Sequence, residues 1–454
     1  MLGTRHRSHT RPRGDGSVRM RHVLDGYWDR LLGVTREGYR AHRTTSDFVW
    51  NSVGQAAWAL LFPLLTVVVT QLVGIEEAGL FSLAFVTANV LLFVANYGVR
   101  AFQASDVHED YSFADYQFQR WVTCAAMLGA GALYCLVRGY AGEMFAVSIG
   151  VYAFRMMDGA ADVYEGRLQQ KDKLYLAGIS QAIRSVAPFL GFTIALSLTQ
   201  SLVTATIVMD ALAAVALIVF TIPMAAMETP RSERLDLARV RGLFVQCFPL
   251  FLALFLYNFI DSMPKFVMEG VLGYDSELLF NAICFPAQAI LVVAGLIYKP
   301  LLVRMTDTWQ DVSRRRSFDM TVISIFVLVA LVTVIFVVVM NLIGIPIMNF
   351  MYGLDFSPLQ RQMDLLFVAG GVTGGIDFLY QVITIIRRQS VIRRVYVIGF
   401  VVSVAASLAF EHALGFDGAV YAYLLDASAL CAMLLREYVH ARRTTGAPTK
   451  RQNP

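Results

Sequence analysis

Apolar runs of about 20 residues, separated by short polar stretches, repeat along almost the whole chain. Twelve are legible, near residues 47–72, 79–97, 119–138, 144–165, 174–197, 203–225, 244–270, 278–298, 318–342, 363–385, 395–412 and 418–436. A helix of about 20 residues, rising ~1.5 Å per residue, crosses the ~30 Å hydrocarbon core of a bilayer. Lipid offers no partners to backbone N–H and C=O groups, so such segments must satisfy their own hydrogen bonds as helices. The pattern predicts an all-α, polytopic membrane protein of about twelve transmembrane helices.

A weak internal repeat divides these helices. Leu72-Val73-Gly74-Ile75-Glu76-Glu77-Ala78-Gly79-Leu80-Phe81 joins runs one and two. Val271-Leu272-Gly273-Tyr274-Asp275-Ser276-Glu277-Leu278-Leu279-Phe280 joins runs seven and eight. A glycine, an acid and Leu-Phe recur in register at equivalent places. The repeat predicts two six-helix lobes in parallel orientation, related by an axis along the membrane normal. The expected divisions are a basic N-terminal tail (1–45), a first lobe (46–226), a linker (227–242), a second lobe (243–438) and a C-terminal tail (439–454).

Lysine and arginine set the orientation. One set of loops carries Arg167, Lys171 and Lys173, then Arg231 to Arg241, Arg314 to Arg316, and Arg387 to Arg394, whereas the opposite set shows Arg138 and Arg361. By the positive-inside rule both tails are cytoplasmic, and the expected location is a bacterial cytoplasmic membrane. In the N-terminal tail, Val23, Leu24, Tyr27, Trp28, Leu31 and Leu32 have the spacing of a surface helix.

Composition agrees. The chain is 57% hydrophobic and 16% charged, against about a quarter charged in soluble domains. Its five cysteines all fall inside predicted spans without a CxxC pair, which suggests neither zinc nor a disulfide framework. There is no Walker A, HExxH or GxSxG sequence, so no catalytic residue and no metal site are expected, nor any nucleic-acid partner. His108-Glu109-Asp110 reads as a solvated loop. Gly370-Gly371-Val372-Thr373-Gly374-Gly375 has the small-residue spacing of a close helix crossing.

The chemistry lies in charges within the apolar runs. A charge at mid-membrane costs roughly 2.5–3.5 kcal/mol on insertion scales, so such residues face protein or water rather than lipid. Arg155, Asp158 and Asp162 share one face of run four by their spacing. Arg184, near the middle of run five, has no acid on its own helix; it must find one on another helix, reach water or meet an anionic ligand. Asp261 and Lys265 are four apart in run seven, and Asp210, Asp377 and Asp426 are single acids. A watery central cavity between the lobes would house such a set. Arg155, Arg184, Lys265 and Asn89 are the candidate substrate-binding residues, because guanidinium forks match phosphate oxygens. Asp158, Asp162, Asp261 and Asp426 are the candidates for a coupling proton or sodium ion. No other cofactor is expected.

Several segments resemble bacterial polysaccharide flippases. These are Asp47-Phe48-Val49-Trp50-Asn51-Ser52-Val53-Gly54, the Leu72–Ser82 segment, Asn96-Tyr97-Gly98-Val99-Arg100, Ser105-Asp106-Val107 and Tyr111-Ser112-Phe113-Ala114-Asp115-Tyr116. These flippases are the O-antigen and capsule branch of the multidrug/oligosaccharidyl-lipid/polysaccharide exporter (MOP) superfamily. The resemblance implies two lobes around a cationic cavity and alternating access. It implies transfer of undecaprenyl-diphosphate-linked oligosaccharide from inner to outer leaflet, for surface polysaccharide biosynthesis. The implied partners are that lipid-linked oligosaccharide, membrane lipids, and a polysaccharide polymerase or glycosyltransferases. The alternative is a cation-coupled multidrug or small-solute exporter of the same architecture. A membrane-embedded glycan polymerase or ligase is a third reading, set back by the lack of a large outer loop.

Overall fold

The computed structural model describes residues 43–106, 109–229 and 234–444. The expected N-terminal surface helix, His108, and the C-terminal tail beyond Thr444 lie outside the described residues. Long helices dominate: α1 (Arg43–Leu72), α2 (Ile75–Asn96), α4 (Phe113–Arg138), α5 (Gly142–Gln170), α6 (Leu174–Thr199) and α7 (Leu202–Glu228) in the first half. The second half has α8 (Leu237–Val271), α9 (Tyr274–Leu301), α11 (Arg315–Tyr352), α12 (Gln360–Ile385), α13 (Gln389–Leu414) and α14 (Phe416–Thr444). Two short helices, α3 (Val99–Ser105) and α10 (Leu302–Gln310), lie on the face that carries the lysines and arginines. We call this the basic face.

Eleven of the long helices are apolar enough to cross a membrane. The remaining one, α5, is equally long at 29 residues but carries Arg155, Asp158, Asp162 and Glu165. Only 28% of the most apolar stretch of α11 is buried. Its exposed Ile323, Val327, Leu331 and Val334 form a lipid-facing side. The chain is a multi-pass membrane protein with two lobes.

Local chemistry explains where the helices start and cross. Ser112 and Asp115 form a capping box that starts α4, satisfying two otherwise orphan N–H groups. Asp47 accepts from the Tyr175 N–H at the start of α6 (2.9 Å). The α1–α6 crossing is so tight that a Cβ on Gly54 would fall 2.9 Å from the Gly178 Cα. The glycine run of α12 also packs closely: a Cβ on Gly370 would lie 2.6 Å from the Ala287 carbonyl. Both helix-starting turns of the internal repeat meet. Gly79 of α2 abuts the backbone of Tyr274 at the start of α9, leaving no room for a side chain.

The core shows how the lobes are joined. Away from the basic face, one continuous apolar cluster runs from Leu65, Phe85 and Phe192 of the first half to Phe280, Tyr352 and Phe367 of the second. Toward the basic face it divides. The cluster of Leu92, Tyr116 and Leu168 lies mainly in the first half, and two others, around Leu379 and around Phe318, lie in the second. The lobes are fused on one side of the membrane and, apart from the start of α8, which packs on the first half, parted on the other.

Candidate functional site

Where the lobes part there is a hollow of about 570 Å³. Its walls include Phe102 and Ser105 of α3, Gln246, Pro249 and Leu250 of α8, Tyr380 of α12 and Arg393 of α13. The bend that delivers α3 to it requires left-handed backbone at Tyr97 (φ 48°) and Gly98 (φ 67°). The Tyr97 ring stacks on Phe251 of α8 at 4.5 Å, so the hollow is bounded by aromatic contact between halves.

On the opposite face the halves are closed. Arg138 at the end of α4 pairs with Glu269 of α8 (2.9 Å). Tyr134 donates to the same carboxylate (3.0 Å), and Tyr140 does so at short range. Nearby, Gln71 of α1 donates to the Met351 carbonyl of α11 (2.9 Å). The chain is thus sealed on the sparsely charged side and hollow toward the basic side.

The expected anion-binding arginines occupy a different place. Arg155 and Arg184 are 1% and 4% exposed, inside the first half. Arg155 pairs with Asp158 at 2.7 Å and lies over the Phe85 ring at 4.4 Å. Arg184 pairs with Asp158 and with Glu165 at 2.6 Å. Both guanidinium groups are therefore engaged by carboxylates rather than open to a wet cavity. The reason is visible in α5: its acids at 158, 162 and 165 share one face, and α6 lays Arg184 against two of them. The coupling candidates of this half are equally engaged. Asp158 holds two arginines, and Asp162 holds Arg100 at 2.7 Å and Arg120 at 2.6 Å. A polar cavity of about 360 Å³ adjoins them, lined by Asn51, Gln55, Gln169 and Gln181.

Sequence reasoning missed Glu165, Arg100 and Arg120 as members of this network. Glu165 and Arg120 sit at the edges of their apolar runs, where a charge normally meets water. One signal was available: Arg100 and Arg120 flank the loop entering α4, opposite the acidic face of α5. Of the remaining substrate candidates, Lys265 is 6% exposed within the second half. The Asn89 side-chain carbonyl on α2 is buried without a hydrogen-bond partner.

The second half has a different chemistry. Asp261 lines an internal chamber of about 160 Å³ with Asn258, Gln288, Thr373 and Tyr423. Its carboxylate accepts from the Tyr423 hydroxyl (2.7 Å). Asp426 borders an adjoining pocket and accepts from Ser403 (2.5 Å). Asp377 accepts from Tyr298. Among the described residues none of these three carboxylates has an ion-pair partner. Hydroxyl groups supply hydrogen bonds but no compensating charge.

No protein-family model matches the chain, and no curated protein matches it either. Solved structures do. The chain is similar to an inward-facing multidrug resistance MATE family transporter of the MOP superfamily, with a TM-score of 0.62 and 12% identity, over 88% of this chain and all of that one. The outward-facing form of such a transporter gives 0.58 and 12%, over 89% and 96%. A MOP superfamily transporter from Pyrococcus furiosus, described as having a binding pocket of reverse polarity, gives 0.58 and 13%, over 88% and 96%. The chain therefore has a MATE-like fold. The polysaccharide flippase branch is not singled out by these likenesses.

Proposed function

We propose that the protein is an alternating-access exporter of drug-sized amphipathic solutes, driven by a proton or sodium ion bound in its second half. The observation that carries this reading is the pairing of two cavities. One is a largely apolar hollow between the lobes, sealed on the opposite face. The other is an acidic chamber around Asp261 that lacks an ion pair. A hollow of about 570 Å³ falls in the range of about 300–1,000 Å³ that accepts small ligands. The likeness to MATE transporters supports the same reading at the level of fold. The basic face is the cytoplasmic one on this reading, and the membrane is the bacterial cytoplasmic membrane.

In mechanism, solute enters from the basic face and spreads on Phe102, Pro249 and Leu250. Cation binding at Asp261, with Asp426 beside it, lowers the cost of keeping these acids buried and so biases the packing of α8, α12 and α14. Differential affinity of the two states for the cation supplies the driving force. The test is efflux of an amphipathic dye from proteoliposomes under an imposed cation gradient. Asp261→Asn should abolish the dependence on the gradient while the protein remains folded. Gradient-dependent efflux at the wild-type rate in this variant would overturn the reading.

One observation favours a second reading. Arg393 stands in the wall of the inter-lobe hollow and suits an anionic head group, as on a lipid-linked oligosaccharide. Loss of surface glycan in Arg393→Gln cells, with dye efflux intact, would select the flippase reading.

A further inference from the structure

The second half contains buried acids that the coupling reading does not use. Glu411 lies in the last turn of α13 and Glu277 in the first turn of α9, both at the end of the lobe away from the basic face. Each is 0% exposed. Neither Glu411 carboxylate oxygen has a hydrogen bond of normal geometry, nor has one Glu277 oxygen. The hydroxyl of Ser407, one turn before Glu411, is also fully buried and approaches the Glu411 carboxyl without normal hydrogen-bond geometry. The surroundings leave no room for a different packing. A Cβ on Gly418 of α14 would lie 2.8 Å from the Glu411 backbone nitrogen, and Phe280 of α9 meets Phe416 and Tyr423 of α14.

Charge makes the vacancy of partners informative. Glu411 sits at the negative end of the α13 dipole, which disfavours a carboxylate there. The charged and titratable groups in electrostatic reach are Asp426 of α14 for Glu411, and Lys265 and Glu269 of α8 together with Glu411 for Glu277. Apart from Lys265 they are acids. The unpartnered atoms are all oxygens, the ligand type of hard cations. Two carboxyl groups and one hydroxyl fall short of the roughly six to eight oxygen ligands that calcium takes, which leaves a proton or a monovalent ion.

We propose that Glu411, with Glu277 and Ser407, forms a second station for a monovalent cation, a proton or sodium ion, at the closed end of the second lobe. It rests on the coupling reading of Asp261 only for its role in transport. The cation enters when the Arg138–Glu269 seal opens, and passes from this station by way of Asp426 and Asp261 toward the basic face.

Cation binding by the purified full chain in detergent tests this without transport. Radiolabelled sodium binding at alkaline pH, and proton uptake from weak buffer read by an indicator dye, distinguish the two ions. Asp261→Asn should remove part of the bound cation and Glu411→Gln a further part, so that the double variant binds almost none. Ser407→Ala, which keeps every carboxyl group, should weaken the second component about tenfold and guards against misfolding of the glutamine variant. Unchanged sodium binding and proton uptake in Glu411→Gln, Glu277→Gln and Ser407→Ala would overturn the station. If Asp261→Asn alters efflux while those variants bind normally, the station fails and the exporter reading stands. If the variants lose cation binding but efflux ignores the gradient, the reverse holds.

Discussion

The two lobes share a plan and treat buried charge in opposite ways. In the first, four arginines (100, 120, 155 and 184) interlock with Asp158, Asp162 and Glu165. In the second, Asp261, Asp377 and Asp426 are met by hydroxyl groups of Tyr423, Tyr298 and Ser403. A network of paired charges is costly to break and has little capacity for a further ion. A carboxylate held by a hydroxyl group is oriented without being neutralised. The comparison teaches that charge within a membrane marks either a rivet or a site. Which of the two it is depends on the partner rather than on depth.

The largest effect should come from breaking the first network. Arg184→Gln leaves Asp158 and Glu165 short of a buried cation, and should destabilise the fold by about 3–5 kcal/mol. Thermal unfolding in detergent measures it. Asp261→Asn, which neutralises an acid lacking an ion pair, should keep the wild-type midpoint. Equal losses in both variants would erase the contrast between lobes. Next, Asp426→Asn should slow gradient-driven efflux about tenfold, equivalent to ~1.4 kcal/mol, with unfolding unchanged.

A smaller effect is expected between the lobes. Glu269→Gln and Arg138→Gln should each weaken closure on the opposite face, with a coupling energy of about 1 kcal/mol in a double-mutant cycle. Crosslinking of paired cysteines across that seal reports it. The smallest concerns Glu109, on a loop of the basic face. A hydrogen bond from Lys171, and then the charge of Arg167, hold its carboxyl below the usual glutamate range. The folded value is the lower one, so its contribution is complete above the ordinary range and fades as pH falls through the depressed value. Being partly exposed, it should be worth under about 1 kcal/mol. Comparing unfolding of wild type and Glu109→Gln at neutral and acid pH checks this, with the difference shrinking in acid.

The helices were legible because lipid imposes length and apolarity on each span, and even charge-rich α5 showed a clear run between polar turns. The shared face of Arg155, Asp158 and Asp162 was legible too, since it depends on helical spacing alone. What sequence could not show was pairing across long separations. Arg120 and Asp162 meet only because α4 and α5 pack side by side, and Tyr423 reaches Asp261 from 162 positions away. Glu411, followed by His412 at the end of a span, carries no sequence signal of burial. Only the packing of α14 over it reveals that it is dry.

The abutment of Gly79 against Tyr274 gives the molecule a fulcrum. It lies where the two repeats touch, on the side that is shut, so on the proposed alternating-access reading any rocking of one bundle against the other turns about a point that tolerates no methyl group. Gly79→Ala would act as a shim there, prising that end apart and favouring the state that gapes the other way. A single hydrogen atom in place of a side chain is what lets the two repeats of this 454-residue chain close on each other there.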